Sequence, residues 1–378
     1  MAILESFWQL MRPPGSGIPV FSTGTSASTE LQRQIYGVIH ADAKTADPQA
    51  LETLWKHSLQ GLGATKRPQV AILGVPLDTG AGIRRGAAAG PVAVRQALYA
   101  LPEVQEWLRS GSLIDLGDIY VNPHLLHDEM LSREQIEASQ KAMYSGAEPT
   151  LRDSLPVSAL SQAKRVLSDL LNAYPDLRVF VIGGDHSCAW PVTEVMAARY
   201  PKTLSIVQPD AHTDLLPARL GVKYCFGTWS FHANELLGRG GKLVQLGIRQ
   251  SGREQEHWES TTGVRQFWAR ELNGLSDADA VKAVVKHLES IGVRQIYLSN
   301  DIDGTDESEA SATGTPAAAG LRSSFLIQMI GELGKRFELV AADVMEVAPD
   351  LGETAEERDG TCRLAARYAA ASIQAMLG

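Results

Sequence analysis

The sequence predicts an α/β protein with a three-layer α/β/α architecture, in which a mostly parallel, eight-stranded sheet lies between helices and follows an N-terminal extension. Two observations predict this fold. From residue 69 onward, short apolar runs alternate with longer segments of helical period, which is typical of strands joined by crossover helices. In addition, acidic residues and histidines directly follow several apolar runs, as expected where ligands bind beyond the carboxyl ends of parallel strands.

Eight apolar runs are the predicted strands. They alternate with the helical segments, so we expect helices to cover both faces of the sheet. The predicted strands comprise residues 69–75, 112–116, 177–182, 203–207, 243–248, 264–268, 295–299 and 337–342.

The helical period is clearest in three segments between these runs. Residues 158–174 repeat leucine and alanine on one helical face, and residues 277–291 and 323–333 show similar spacing. We predict that residues 139–155 form a loop instead, near the mouth of the site.

Residues 1–65 do not follow the alternation. They combine turn-rich stretches with two short predicted helices, at residues 29–39 and 48–62. No linker rich in proline, glycine and serine divides the sequence after residue 70. We therefore predict an extension over residues 1–65, which packs on the core or on a neighbouring subunit, and one catalytic domain over residues 66–378.

The composition is that of a globular protein, and it argues against two classes of partner. The 378 residues are 44% hydrophobic and 21% charged, which is enough apolar material for a sizeable core. A formal net charge of -9 without a basic stripe argues against nucleic acid. No apolar stretch is long enough to span a bilayer, and the three cysteines show no paired spacing. We expect a soluble cytoplasmic protein without membrane contact or disulfides.

Aspartates and a histidine occupy alternate positions in two segments that follow apolar runs. Asp210, His212 and Asp214 form one series, and Asp301 and Asp303 form the other. In an extended backbone, residues two apart point to the same side, so each series can converge on one point. Two divalent cations held mainly by carboxylates, with a water between them, suit these residue types.

A third segment, Gly-Gly-Asp-His-Ser at residues 183–187, adds His186 after another apolar run. Taken singly, each segment has a structural explanation, as a solvated turn or as a strand-to-helix corner in which Asp185 caps the helix. Together, four aspartates and two histidines would bring like charges to one buried sheet edge, which is costly without cations. The combined pattern therefore predicts a binuclear metal site.

An ordered series of motifs over residues 69–377 resembles the ureohydrolases, the arginase and agmatinase superfamily of binuclear metal enzymes. The resemblance includes the three segments above and implies an arginase-like fold. The further motifs that carry it are Gly74-Val-Pro-Leu-Asp78, Arg85-Gly-Ala87 with Gly90-Pro91 and Arg95, Asp115-Leu-Gly-Asp118, Leu246-Gly-Ile-Arg249, Gly314-Thr-Pro316, and Asp343-Val-Met-Glu346.

By this resemblance the chain binds two divalent metal ions, either Ni²⁺ or Mn²⁺, with Asp210 and Asp301 as bridging ligands. Four carboxylates roughly neutralise two dications, and a water between the ions becomes acidic enough to supply hydroxide near neutral pH. The implied metal ligands are His186, Asp210, His212, Asp214, Asp301 and Asp303.

The resemblance also implies the reaction. A metal-bridging hydroxide attacks the guanidinium carbon of the substrate, and the intermediate collapses to urea and an amine or ammonia. Asp214 would pass a proton to the leaving nitrogen. Glu346 matches the position that receives the guanidinium, to which a carboxylate can form two parallel hydrogen bonds.

One position departs from the family pattern. After the Asp214 segment, arginases and agmatinases have a proton-shuttle histidine just before a glycine, and Phe226 occupies that place here. His232 is a candidate substitute, although a packed or surface histidine explains it equally well. The aromatic residues of this loop, including Phe226 and Trp229, favour a compact guanidinium over one with a charged tail.

The chain therefore looks most like the branch that acts on guanidine, alkylguanidines or biguanides such as metformin. Its predicted catalytic residues are Asp214, Glu346 and His232, and its predicted substrate-binding residues are Phe226, Trp229 and Glu346.

Two alternatives stay open at this point. The chain could be an agmatinase or guanidino-acid hydrolase with a relocated shuttle, or a non-catalytic partner subunit of an active homologue. The presence of all six expected ligands disfavours the second alternative. The resemblance further implies a homo-oligomer, either a trimer or a hexamer, with a hetero-oligomer containing a homologous subunit as the alternative.

Overall fold

A mostly parallel sheet of nine strands runs through the part of the chain that the structure, a computed structural model, describes. The described residues are 2–19, 26–63 and 67–378. In chain order the strands are β1 (Met11–Arg12), β2 (Val70–Val75), β3 (Leu113–Ile119), β4 (Arg178–Gly183), β5 (Leu204–Pro209), β6 (Leu243–Ile248), β7 (Arg265–Trp268), β8 (Gln295–Asp301) and β9 (Glu338–Met345). Across the sheet they follow the order β1-β3-β2-β4-β9-β8-β5-β6-β7.

The eight predicted strands correspond to β2 through β9, which confirms the predicted architecture. The predicted total of eight is wrong, because the N-terminal segment adds β1. This strand pairs antiparallel with β3, with Met11 opposite Ile119 and Arg12 opposite Asp118. A strand of two residues is too short to carry a period, so the sequence pattern could not indicate it.

Helices flank the sheet on both faces. Helices α4, α13, α14 and α15 pack against one another in one layer, and α1, α8, α9 and α10 pack in the other. The helical bounds are α1 (Ala2–Leu10), α2 (Ser26–Tyr36), α3 (Pro48–Gln60), α4 (Gly90–Leu98), α5 (Pro102–Ser110), α6 (Arg133–Met143), α7 (Pro149–Arg152), α8 (Ala159–Ala173), α9 (Ala189–Arg199), α10 (Trp229–Leu236), α11 (Gln255–Thr262), α12 (Ala269–Asn273), α13 (Asp277–Ser290), α14 (Ser323–Arg336) and α15 (Ala355–Leu377). Among the described residues, no helix combines the length and apolar character needed to cross a membrane.

The five helix predictions are confirmed, and the one loop prediction is wrong. Helices α8, α13 and α14 occupy the three segments of clear period, and α2 and α3 are the two short N-terminal helices. The loop predicted for residues 139–155 instead contains the end of α6 and the whole of α7. Helix α6 is mostly polar, so its period is weak, and it begins where the Ser132 side chain accepts a hydrogen bond from the backbone N–H of Gln135.

The N-terminal segment is hydrogen-bonded to β3 and the residue that follows it. Tyr120 donates its backbone N–H to Leu10 O at 2.8 Å, and the indole N–H of Trp55 donates to Leu116 O at 3.0 Å. The turn after β1 is held by Asp118, whose Oδ2 accepts the N–H of Gly15 at 2.8 Å. The predicted boundary at residue 65 lies outside the described residues, and the division into extension and catalytic domain stays a prediction.

A buried ion-pair cluster accounts for another of the sequence motifs. Arg95 of α4 lies 2.9 Å from Asp115 and also pairs with Asp118, and all three side chains are buried. Tyr99 donates to the same Asp115 carboxylate. The cluster joins α4 to β3, so this motif is structural in the present fold.

The four strands at the centre of the sheet determine where the site lies. Strands β4, β9, β8 and β5 are adjacent and parallel. Their carboxyl ends therefore meet at one edge, which is where ligands bind in open α/β sheets. Each strand is followed or ended there by a predicted site residue, namely His186, Glu346, Asp301 and Asp210.

Candidate metal centre

Two overlapping groups of possible ligands occupy this edge of the sheet. His186, Asp210 and Asp301 offer ligand atoms that all lie within 4.8 Å of one another, and so do Asp210, His212 and Asp303. Asp210 belongs to both groups. The structure thus forms two adjacent positions of cation size that share one carboxylate.

His186 directs one ring nitrogen into the carboxylates. Its Nδ1 lies 2.9 Å from Asp301 Oδ2, 3.2 Å from Asp210 Oδ2 and 3.6 Å from Asp214 Oδ2. The other ring nitrogen, Nε2, lies 3.1 Å from Ser299 Oγ. The imidazole is fully buried, so its orientation is fixed from both sides.

A second carboxylate decides which nitrogen of His186 carries the proton. The Ser299 hydroxyl donates to Asp343 Oδ2 at 3.0 Å, so Ser299 Oγ is the acceptor of the His186 Nε2–H. Without a metal, hydrogen bonds to Asp210 and Asp301 outweigh burial and raise the pKa of His186. With a metal bound in their place, Nδ1 would be the ring nitrogen that faces it. Asp343 is itself held by Tyr297 and by the backbone N–H of Asn300 at 3.0 Å.

The protonation behaviour of the cluster shows a deficit of positive charge. Burial, together with the charge of Asp303, raises the pKa of Asp301, and burial with the charge of Asp210 raises the pKa of Asp214. For His212, burial is outweighed by hydrogen bonds to Asp210 and Asp303, which raise its pKa to about 12. Cations would relieve this repulsion directly, and the oxygen-plus-imidazole donor set suits divalent ions of the first transition row.

The second group lies nearer to solvent. The His212 side chain is 30% exposed, and its Nδ1 lies 3.1 Å from Asp303 Oδ2. Asp303 is held in place by the backbone N–H of Ala211 at 3.1 Å and by the hydroxyl of Thr315 at 2.8 Å.

Glu346 lies beside His186 at the end of β9. Its Oε1 accepts the backbone N–H of His186 at 2.9 Å, and its own N–H donates to Gly184 O at 2.8 Å. A Cβ atom built on Gly314 would lie 3.7 Å from Glu346 Oε2. The second carboxylate oxygen therefore borders a space that the glycine keeps open.

Trp229 is in contact with two of the predicted ligands. Its indole N–H donates to Asp214 Oδ2 at 3.1 Å, and its ring lies over His186 with centroids 4.6 Å apart. The side chain is only 1% exposed. The sequence predicts Trp229 as a substrate-binding residue, and that role stays a prediction beside these contacts with two predicted ligands.

Phe226 lies where two loops meet above the sheet edge. Its backbone N–H donates to Gly80 O at 3.1 Å, and a Cβ built on Gly82 would lie 3.3 Å from its ring. On the same ring, the Arg219 guanidinium carbon lies 4.8 Å from the centroid. The loop after β2 and the loop after β5 are thus joined at this phenylalanine.

His232 lies among aromatic side chains. Its ring is 5.4 Å from that of Tyr224 and 5.9 Å from that of Trp190, and its Nε2 lies 3.1 Å from Lys223 O. Burial lowers its pKa. Within the described residues it makes no contact with the carboxylate groups, and its role as a shuttle stays a prediction.

A family model described as the arginase family matches residues 68–374. The chain belongs to the arginase family. It is a ureohydrolase of that family, which acts on amidino C–N bonds. Arginase-family enzymes use a binuclear divalent metal centre, with which the two His/Asp groups of this chain agree.

The arginase-family relatives include enzymes with different substrates in their names. The chain is 28% identical to an agmatinase of Chromobacterium violaceum over 75% of this chain and 78% of that protein. It is 29% identical to the human mitochondrial guanidino acid hydrolase, over 74% of this chain and 71% of that protein. The solved structure of the proclavaminate amidino hydrolase from Streptomyces clavuligerus has a TM-score of 0.65 and 27% identity, covering 82% of this chain and 93% of that one.

Proposed function

We propose that this chain hydrolyses a small guanidine compound and releases urea with ammonia or an amine. The substrate class comprises guanidine, alkylguanidines and biguanides such as metformin. The observation that carries the proposal is the position of Phe226, which takes the place of the shuttle histidine and packs on Gly82 where two loops meet. An apolar ring at this point suits a compact cation and leaves little room for a long polar tail.

The proposed metal ligands are the six that the sequence indicates. Two divalent cations, Ni²⁺ or Mn²⁺, would supply at this site a water of lowered pKa as the nucleophile. The chain supports this set through Ser299 and Asp343, which present His186 Nδ1 to the carboxylates. The ligands in the proposal are His186, Asp210, His212, Asp214, Asp301 and Asp303.

Glu346 and Asp214 have separate roles in the proposed reaction. Glu346 Oε1 is already bonded to the N–H of His186, so Oε2 is the oxygen that receives the guanidinium. Asp214 Oδ2 accepts the indole N–H of Trp229, and Asp214 Oδ1 has no hydrogen-bond partner among the described residues. Oδ1 is therefore the atom that accepts a proton from the nucleophile and passes it to the leaving nitrogen.

The second candidate is an agmatinase or a guanidino-acid hydrolase. It is favoured by relatives that carry those names at 28% and 29% identity. A third interpretation, a non-catalytic subunit of an active homologue, is opposed by the complete set of six ligands. We also propose a homo-oligomer, a trimer or a hexamer.

The deciding experiment is a urea-release assay on the nickel-loaded and the manganese-loaded protein. The substrates are guanidine, methylguanidine, metformin, agmatine and arginine, and we expect one of the first three to give the highest kcat/KM. A clear preference for agmatine or arginine would contradict the proposal and support the second candidate. Protein that binds no metal and releases no urea would support the non-catalytic interpretation.

A further inference from the structure

Three arginines without ion-pair partners border the site. Arg84 and Arg85 lie on the loop after β2, Arg219 lies on the loop after β5, and all three side chains are exposed. None forms a salt bridge or a side-chain hydrogen bond within the described ranges, and the Arg219 guanidinium lies over the Phe226 ring. Unpaired arginines are notable at this place, since the whole chain carries a net charge of -9.

The contacts of the two loops place the Arg84 backbone beside the space next to Glu346 and the Arg219 guanidinium on Phe226, and Arg85 directly follows Arg84. The Arg84 carbonyl oxygen would lie 3.1 Å from a Cβ on Gly314, and that same Cβ would lie 3.7 Å from Glu346 Oε2. On the other side, Phe226 carries Arg219 on its ring and bonds to the first loop through Gly80. The loop after β2 therefore borders the space next to Glu346, and the loop after β5 joins it at Gly80 and Gly82.

A nearby arginine shows what a structural guanidinium looks like in this fold. Arg249 donates to Asp303 O at 2.7 Å and to Ala317 O at 2.8 Å, and it is partly buried. Its charge is thus engaged by backbone carbonyls. The exposed arginines of the two loops lack such partners, so their field acts on whatever enters the site.

We propose that Arg84, Arg85 and Arg219 form a positive rim that selects against guanidine compounds carrying a second positive charge. The inference rests on the proposed function and narrows its substrate class. The guanidinium itself passes the rim and is held by Glu346, while an ammonium at the end of a tail would remain beside the arginines. A neutral or carboxylate tail carries no such penalty.

The expected discrimination follows from Coulomb's law. At a separation of roughly 8 Å in water of low ionic strength, each arginine weakens binding of a second cation about two- to three-fold, and three arginines together about ten-fold. Added salt reduces the effect, because exposed charges at this separation are screened.

The test compares three guanidines with tails of similar length, which end in an ammonium (agmatine), a methyl group (butylguanidine) or a carboxylate (4-guanidinobutanoate). Their dissociation constants are measured by calorimetry on the manganese-loaded protein, since binding does not require turnover. We expect agmatine to bind about ten-fold more weakly than butylguanidine at low ionic strength. The triple variant Arg84→Glu, Arg85→Glu, Arg219→Glu should remove or reverse this ratio.

Two further variants guard against an unspecific effect. Arg219→Gln alone should reduce the ratio by about two- to three-fold if the triple variant fails to fold. The control is Arg363→Glu with Arg367→Glu, which changes two exposed arginines without ion pairs on α15 and should leave the ratio unchanged.

The outcomes separate the rim from the proposed function. Equal or tighter binding of agmatine by the unaltered protein would overturn the rim, and so would a ratio that the rim variants do not change. If the three tailed compounds fail to bind while guanidine is hydrolysed, the rim is wrong and the proposed function stands. If the binding order holds but no guanidine compound releases urea, the proposed function fails and the rim stands.

Discussion

Trp229 donates its indole N–H to Asp214 Oδ2 at 3.1 Å while its ring covers His186. One buried side chain therefore fixes the position of two predicted ligands that are distant in sequence. This contact also leaves Asp214 with one engaged and one free oxygen, as a carboxylate that transfers protons requires.

We expect Trp229→Phe to weaken metal binding about ten-fold or more, because loss of a group that orients a ligand commonly costs 10- to 100-fold in affinity. The phenyl ring still covers His186, so the variant removes mainly the hydrogen bond. Calorimetric titration with Mn²⁺ measures the effect. The control is Trp55→Phe, since Trp55 is equally buried and donates to Leu116 O instead. This control should lower the free energy of unfolding and leave the metal affinity unchanged. Equal metal affinities in the two variants would refute the role of Trp229.

The shared position of Asp210 predicts different metal contents for two neighbouring variants. Asp303→Ala leaves the group of His186, Asp210 and Asp301 intact, so the protein should retain a single tightly bound ion. Asp210→Ala removes a member of both groups and should abolish tight binding at both positions. Elemental analysis after gel filtration measures the content. Asp306→Ala is the control, since that carboxylate bonds to Ser308 and Gly320 and belongs to neither group.

Gly184 should tolerate no side chain. A Cβ at this position would lie 1.7 Å from Leu77 O. Leu77 O is a backbone atom, and the segments of Gly184 and Leu77 both support His186. We expect Gly184→Ala to lower the free energy of unfolding by more than about 3 kcal/mol. Gly331→Ala is the matched control, because Gly331 lies within α14 with open space around it, and alanine should stabilise the helix by about 0.5–1 kcal/mol. Denaturant unfolding measures both, and a mild effect at Gly184 would contradict the close approach of the two segments.

Titration of Asp343 should lower the stability of the metal-free protein as the pH rises from about 4 to 7. Burial raises the pKa of Asp343 from 3.8 to about 6, so the folded state binds its proton more tightly than the unfolded state does. The resulting stabilisation is complete below the unfolded pKa and is lost as the pH rises through about 6. In magnitude it amounts to a few kcal/mol. Asp343→Asn should remove this part of the pH dependence in chelator-treated protein, and an unchanged pH profile would show that Asp343 does not carry it.

The strands and the clustering of the predicted ligands could be predicted from the sequence for one physical reason. A buried parallel strand needs a continuous apolar run, and a polar residue directly after it must lie at the edge of the sheet. Asp210 and Asp301 meet this description, and so does His186, whose neighbour Asp185 caps the following turn as expected by accepting the N–H of Ser187.

The contacts that orient the ligands could not be predicted in the same way. The hydrogen bond from Trp229 to Asp214 depends on how a loop of fourteen intervening residues folds back. No periodicity in the sequence indicates the path of that loop. Of the residues that orient the predicted ligands, Ser299 is the one that the sequence comes nearest to indicating. It lies two residues before Asp301 and on the same side of the strand. Its partner Asp343 is on a different strand, so only the order of strands in the sheet brings the two together.

The shortest strand has a consequence for the behaviour of the chain in solution. Strand β3 would be the terminal strand of the sheet if β1 were absent, and its free N–H and C=O groups would then offer a template to another molecule. Met11 and Arg12 occupy part of that template with antiparallel pairing. Strand β1 thus protects this edge of the sheet against strand addition by other molecules, and its removal would favour aggregation through β3.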